Sequence, residues 1–286
     1  MSRAIHVTWT KPSMYRGKSF EINDYEILTT ILSALKWREK NGEIKLYTDK
    51  IGKEYYEKIK LDDLWDLGID SIYLDSIKEN INPSIFWAAG KIFAVQKEET
   101  PFFLLDTDFI VWENIKHLID NSDLIGIHTE QLYPDIYLSK EYLKFPKGYK
   151  IDSDLNWNVD AINCAFLFFN NNALKEYYCS ESIKFMNNNL DEPLELVSQM
   201  VFAEQRLLGM IVDKMQLKIK TFLTDPFDSN NSFFTHIWGF KREMQFDVSA
   251  KNMFCIKCIK RILRDYPFME SRLFEIPTIK PFKEKI

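Results

Sequence analysis

The chain has 286 residues, 46% of them hydrophobic and 28% charged, with only nine Gly and ten Pro, the make-up of a folded globular protein. A net charge of -5 speaks against a nucleic-acid binder, which carries a basic footprint. Four cysteines are too few for a disulfide framework, the N-terminus has no signal-peptide pattern, and no apolar run reaches the roughly 18 residues of a membrane span; a reducing, cytoplasmic setting is expected.

In chain order, Ala4–Thr8 reads as a first strand, followed by a turn-rich segment with Pro12, Ser13 and Gly17. Apolar residues at helical spacing run through 25–40, and Asn41–Gly42 ends them. Residues 43–48 read as a strand, 52–61 as a helix, 71–74 as a short strand, 85–97 as a helix and 102–105 as a strand buried on both faces. Repeated strand–helix alternation predicts an α/β fold with a mostly parallel central sheet flanked by helices. Beyond it, 124–128 and 161–169 read as strands, 131–154 as a polar, Tyr-rich surface excursion, 174–187 and 195–214 as helices, and 217–222 as a strand. Residues 253–264 form an amphipathic basic helix, so we expect one domain over 1–245 and a helical C-terminal extension over 246–286.

The segment FFLLDTDFIVW sets Asp106 and Asp108 directly after an apolar strand. Ligands of open α/β sheets bind outside the carboxyl ends of the strands. Two carboxylates one residue apart in extended chain point to the same side, where they can share a divalent cation that bridges to phosphate. The same pair also suits loop capping or turn hydrogen bonding. Far downstream, FFTHIWGFKR carries His236, Gly239 and Lys241. His236 can complete the shell of Mn or Zn, Gly239 can admit backbone to a phosphate, and Lys241 can supply it a point charge. The alternative is a buried aromatic cluster with a hydrogen-bonded histidine and a solvent-facing lysine.

D-x-D after an apolar strand, with a late H-x-x-G-x-K, resembles the GT-A (Rossmann-like) glycosyltransferases, in particular the retaining enzymes of glycosyltransferase family 8, where the late motif usually reads H-x-x-G-x-x-K-P-W. Here Lys241 comes one residue early and Arg242–Glu243 stands in place of Pro-Trp. DAINCAFLFFNN is similar to the family's N-x-G-x-x-x-x-N strand, with Asn163 matched and Ala165 where Gly is usual. AEQRLL is similar to its D-Q-D helix start, with Glu204–Gln205 at D-Q and Arg206 at the second Asp. The whole-chain pattern also resembles an uncharacterised bacterial glycosyltransferase-like group.

The resemblance implies Mn2+ or Mg2+ on Asp106, Asp108 and His236, with Lys241 and the Gly239 backbone on the diphosphate of a nucleotide-sugar, UDP being the expected nucleotide. Thr8, Trp9 and Asp49 would border base and ribose. Lys91, Thr107 and Asn163 would belong to the donor site, with Glu204 and Gln205 facing donor sugar and acceptor. In a retaining reaction Gln205 would lie beside the anomeric carbon; an inverting one would use Glu204 or Asp160 as base. Retention is preferred. The acceptor expected is a glycan, a lipid-linked molecule or a protein, and Tyr133, Tyr137 and Tyr142 could wall it.

Two rival readings are a metal-dependent phosphotransferase or hydrolase, and a degenerate GT-A protein that only binds glycans. Cys255-Ile-Lys-Cys258 has the spacing of a zinc or redox pair but lacks a second pair, and two apolar cysteines on one helix face is the plainer account. The basic helix of 251–264 suits peripheral contact with anionic lipid at the inner face of the membrane, or a helix with its apolar stripe on the parent domain and its charges wet.

Overall fold

Side chains along the strand Phe102–Leu105 alternate between two apolar clusters: Phe103 and Leu105 join one, Phe102 and Leu104 the other. Such a strand belongs to a sheet covered on both faces. The computed structural model describes residues 3–286 apart from 16, 18, 192, 194, 196 and 225–232.

The chain opens with β1 (Ala4–Thr8), the one-turn helix α1 (Lys11–Met14) and α2 (Asp24–Lys40), whose start Asn23 and Glu26 cap reciprocally. Then come β2 (Ile44–Thr48), α3 (Lys50–Lys58), β3 (Ile69–Asp70) and α4 (Ala89–Lys97). β4 (Phe102–Leu105), β5 (Phe109–Val111), β6 (Leu124–Gly126), β7 (Thr129–Glu130), β8 (Ala161–Ile162) and β9 (Phe166–Phe169) follow. α5 (Asn172–Met186) leads to a composite helix: α6 (Ser198–Val201), a π-turn over Phe202–Arg206, and α7 (Leu207–Lys214). The chain closes with β10 (Ile219–Thr221), β11 (Phe234–His236), α8 (Phe240–Phe246), α9 (Val248–Asp265) and α10 (Glu270–Leu273).

Seven strands form the central sheet in the order β10-β6-β9-β4-β1-β2-β3. Every neighbouring pair is parallel except the two made by β9, which lies antiparallel between β6 and β4. This is the mostly parallel α/β architecture expected from the sequence. Helices α2 and α9 cover one face, and α4, α5 and α7 the other. Two antiparallel ribbons, β11-β5 and β7-β8, stand apart from the main sheet.

Several expectations need correction. The strand expected at 71–74 lies earlier, at Ile69–Asp70, because Asp70 Oδ1 accepts from the backbone of Ile72 and Tyr73 and turns the chain there. The helix expected from 85 begins at Ala89, after a run of turns. The strand expected over 161–169 is two strands, since Asn163 Oδ1 accepts from Ala165 N in a local turn. No helix among the described residues is long and apolar enough to cross a membrane. The apolar side of α9 (Cys255, Cys258, Ile259, Ile262) is buried in the core. Burial pushes both thiols up to about 12, so neither is a ready thiolate for metal or exchange.

Candidate active site

At the carboxyl end of β4 the chain leaves the apolar interior and turns, Phe109 N returning to Asp106 O at 2.9 Å. The turn holds Asp106 partly open and buries Asp108. β11 pairs antiparallel with β5, with His236 opposite Phe109, so the ribbon delivers the imidazole next to the acid pair. One ligand atom from each of Asp106, Asp108 and His236 lies within 4.8 Å of the others. Lys241, in the first turn of α8, reaches back to Asp108 Oδ2 at 2.9 Å.

From the other side α4 contributes Lys91. A Cβ at Gly90 would stand 2.7 Å from Trp9 Cβ, so only glycine lets α4 settle this close to the end of β1. Lys91 Nζ then meets Asp106 Oδ1 at 2.6 Å and Glu204 Oε1 at 3.0 Å. Glu204 and Gln205 both come from the π-turn. Tyr137 donates to Gln205 Oε1 at 2.5 Å, and Asn163 Nδ2 donates to Glu130 Oε1 at 2.8 Å. These groups line a cleft of about 1170 Å³, with Asp160 on its wall and Trp87, Tyr133 and Trp238 at exposed positions around it.

Burial opposes ionisation of Asp108, yet the Lys241 ammonium, with a smaller contribution from Lys91, overcomes it and holds the carboxyl below its usual range. Burial lowers the His236 pKa against the pull of both aspartates, which leaves a neutral imidazole with one ring nitrogen free to give its lone pair. Burial likewise works against Lys91 and Lys241, but their carboxylate partners outweigh it and both ammonium groups stay charged. Glu204 is pushed up by burial, Lys91 restraining the shift. The donor set of two carboxylates and an imidazole suits Mn2+ or Mg2+. Asp108 Oδ2 fits that use: it is buried without an aligned hydrogen-bond donor, its neighbours being the Lys241 ammonium at 2.9 Å and the His236 imidazole at 3.8 Å.

Other residues singled out from the sequence stand elsewhere. Asp49, Thr8, Trp9, Thr107 and Gly239 do not line the cleft. The Asp49 carboxylate is taken up by Thr10 N, Thr10 Oγ1 and Gly52 N, where it caps α3. Thr8 Oγ1 shares a hydrogen bond with Tyr56 OH, and Trp9 is buried under α4. Gly239 precedes α8 with φ -72°, a conformation open to any residue, and a Cβ there would meet nothing within 4 Å. Tyr142 is exposed outside the cleft. Glu130, Trp87 and Trp238 escaped the sequence reading. Glu130 has no motif around it, and only the pairing of β7 with β8 brings it beside Asn163.

Fold and cleft define an α/β protein with a charged cleft at the carboxyl end of its parallel strand β4. A family described as "Family of unknown function (DUF6734)" matches residues 3–276, and the chain belongs to it. No curated protein matches the sequence. HddC from Yersinia pseudotuberculosis aligns at 15% identity over 86% of this chain and 100% of its own, with a TM-score of 0.42. Mouse xyloside xylosyltransferase 1 aligns at 10% identity over 77% of this chain and 84% of its own, with a TM-score of 0.40. The glycosyltransferase GlyE of Streptococcus pneumoniae TIGR4 aligns at 15% identity over 78% of this chain and 46% of its own, with a TM-score of 0.38. All three are distant likenesses of chain path.

Proposed function

We propose that the cleft binds a nucleotide-sugar, with UDP as the nucleotide, and transfers its sugar to a glycan, lipid-linked or protein acceptor. The observation that carries this reading is convergence: the acid pair after β4, His236 and Lys241 from the β11–α8 segment, and Glu204–Gln205 from the π-turn meet in one cleft. Asp106, Asp108 and His236 would hold Mn2+ or Mg2+, which when bound would neutralise charge on a diphosphate leaving group. Lys241, held by Asp108 at 2.9 Å, would turn from it to the diphosphate, and Lys91, bridging Asp106 and Glu204, would keep the two in register. Gln205, oriented by Tyr137, is our candidate beside the anomeric carbon of a retaining reaction, the leaving phosphate taking the acceptor proton. Determination of the product anomer by NMR decides this point, and an inverted linkage removes Gln205 from that role.

Thermal unfolding with UDP, GDP and CMP, each with and without Mn2+, tests the site. We expect a metal-dependent rise in Tm with UDP. Asp108→Asn and His236→Ala each weaken that stabilisation by more than ~10-fold in apparent affinity while the ligand-free protein still unfolds cooperatively. If both variants are stabilised as the parent is, the metal assignment fails. If no nucleotide stabilises the parent, the donor reading fails with it.

A further inference from the structure

Exposed large apolar side chains are not spread evenly over this molecule. Trp238, Phe240, Phe246, Val248 and Met253 all fall within residues 238–253, with Phe246 82% and Val248 65% exposed. Soluble proteins rarely leave such a cluster without a partner. The cluster lies on α8 and the start of α9, which pack on one another through Phe240 and Phe254.

The rest of α9 supplies the charge. Ser249, Met253, Lys257, Lys260 and Arg264 recur at intervals of three and four, so they share one helix face, and all are exposed. Cys255, Cys258, Ile259 and Ile262 occupy the opposite, buried face. The outward face holds no carboxylate. Among the described residues Lys257 and Lys260 have no ion-pair partner, whereas Lys251 is held by Asp24 and Arg264 by Asp265. Arg242 adds a further exposed cation on α8. The acids nearby are Glu243, exposed on α8, and Asp247, whose carboxylate caps α9 through Ser249 N and Ala250 N. In a chain of net charge -5 this edge is locally basic.

We propose that the α8–α9 edge docks on an anionic lipid bilayer. Apolar side chains beside unpaired lysines match such a surface: the former enter the acyl boundary, the latter meet headgroup phosphates. A second copy of the chain is a poor occupant, because a two-fold contact would set this basic patch against the same basic patch. The docking edge stands independently of the glycosyl-transfer reading. Trp238 belongs both to this edge and to the cleft, so docking brings the cleft to the headgroups, and a lipid-linked acceptor follows where that reading also holds.

Sedimentation of the full chain with vesicles of mixed phosphatidylglycerol and phosphatidylcholine, against phosphatidylcholine alone, tests the proposal. We expect binding to the anionic vesicles that weakens with added salt. The double variants Phe246→Ser/Met253→Ser and Lys257→Glu/Lys260→Glu each reduce it by ~10-fold or more. These side chains are exposed, so a matching thermal unfolding curve confirms that each variant is folded. Equal binding to both vesicle types, or binding unchanged in the variants, overturns the proposal. A dimer in sedimentation velocity that the Phe246→Ser/Met253→Ser variant dissociates, without vesicle binding by the parent, also overturns it.

Discussion

His6, in the middle of β1, is fully buried, and both its ring nitrogens are engaged. Trp65 Nε1 can only donate, so His6 Nδ1 accepts from it at 3.2 Å, and Nε2–H donates to Ser33 Oγ at 3.0 Å. Ser33 in turn donates to Phe109 O at 2.5 Å, which ties β1 through α2 to the residue directly after Asp108. Burial lowers the imidazole pKa from 6.5 to about 3, against a smaller upward pull from Asp108. Between those two values the unfolded chain binds a proton that the folded chain does not, so stability falls as pH drops through the window. The slope is ~1.4 kcal/mol per pH unit, and above the unfolded value it vanishes. Urea unfolding of the parent and His6→Gln at a series of pH values checks this. The parent's stability is expected to fall more steeply with acid than the variant's by about that slope, and parallel curves would refute it. Both hydrogen bonds and the burial make His6 a structural histidine. Asp106, Asp108, His236 and Lys241 were legible because each pair sits within a few residues and carries a chemistry its spacing suits. Glu130 and Trp87 were not, since only tertiary pairing relates them to the cleft.

The composite helix from α6 to α7 shows what apolar periodicity cannot report. A spacing near 3.6 over 195–214 predicts a helix, but it does not reveal that Phe202–Arg206 is a π-turn, which changes the direction in which Glu204 and Gln205 point. The turn is held from outside itself. Ser182 Oγ donates to Ala203 O and Tyr178 OH to Glu204 O, each at 2.8 Å, and Cys164 Sγ approaches Glu204 O at 3.3 Å. One turn further on, a Cβ at Gly209 would lie 2.4 Å from Asp160 O, so α7 rests directly on the backbone that leads into β8. Gly209→Ala is therefore expected to force the helix outward and destabilise the fold by about 1–3 kcal/mol. Tyr178→Phe keeps the ring but removes one donor from a buried carbonyl, a loss of about 1 kcal/mol. Thermal unfolding of both variants measures the ranking, and a Gly209→Ala protein as stable as the parent would show that the contact yields freely. The split of 161–169 has the same lesson at smaller size. The apolar run is continuous in sequence, and only the Asn163 side chain, bonding to Ala165 N, divides it into β8 and β9.

For the molecule as a whole, a mostly parallel sheet with both faces covered by helices followed from strand–helix alternation, whereas its strand order and the particular residues that receive the C-terminal segment did not. Composition sets 246–286 apart as a basic helical extension, because its charges are visible in sequence and the partner of its apolar stripe is not. In the structure Ile259, Ile262, Met269, Leu273, Ile276, Ile279 and Phe282 are buried in the same cluster as Leu28, Leu35 and Trp37. Ionic contacts add to the seam: Lys36 Nζ, itself buried, meets Asp265 at 2.8 Å, and Tyr266 OH donates to Glu39 Oε2 at 2.7 Å. Burying each large aliphatic or aromatic side chain contributes about 1.5–3 kcal/mol, while a whole domain is stable by only about 5–15 kcal/mol. Removing the segment would take away these seven side chains and Tyr266, expose the outer face of α2 and leave Lys36 short of one carboxylate. A chain ending at residue 245 is thus expected to show no cooperative urea transition, with far-ultraviolet circular dichroism reduced below that of the full chain and with a tendency to aggregate. A truncated chain that unfolds in one sharp transition, and still gains stability from nucleotide with Mn2+, would instead make 1–245 an autonomous domain and leave the C-terminal helices as an attachment to it.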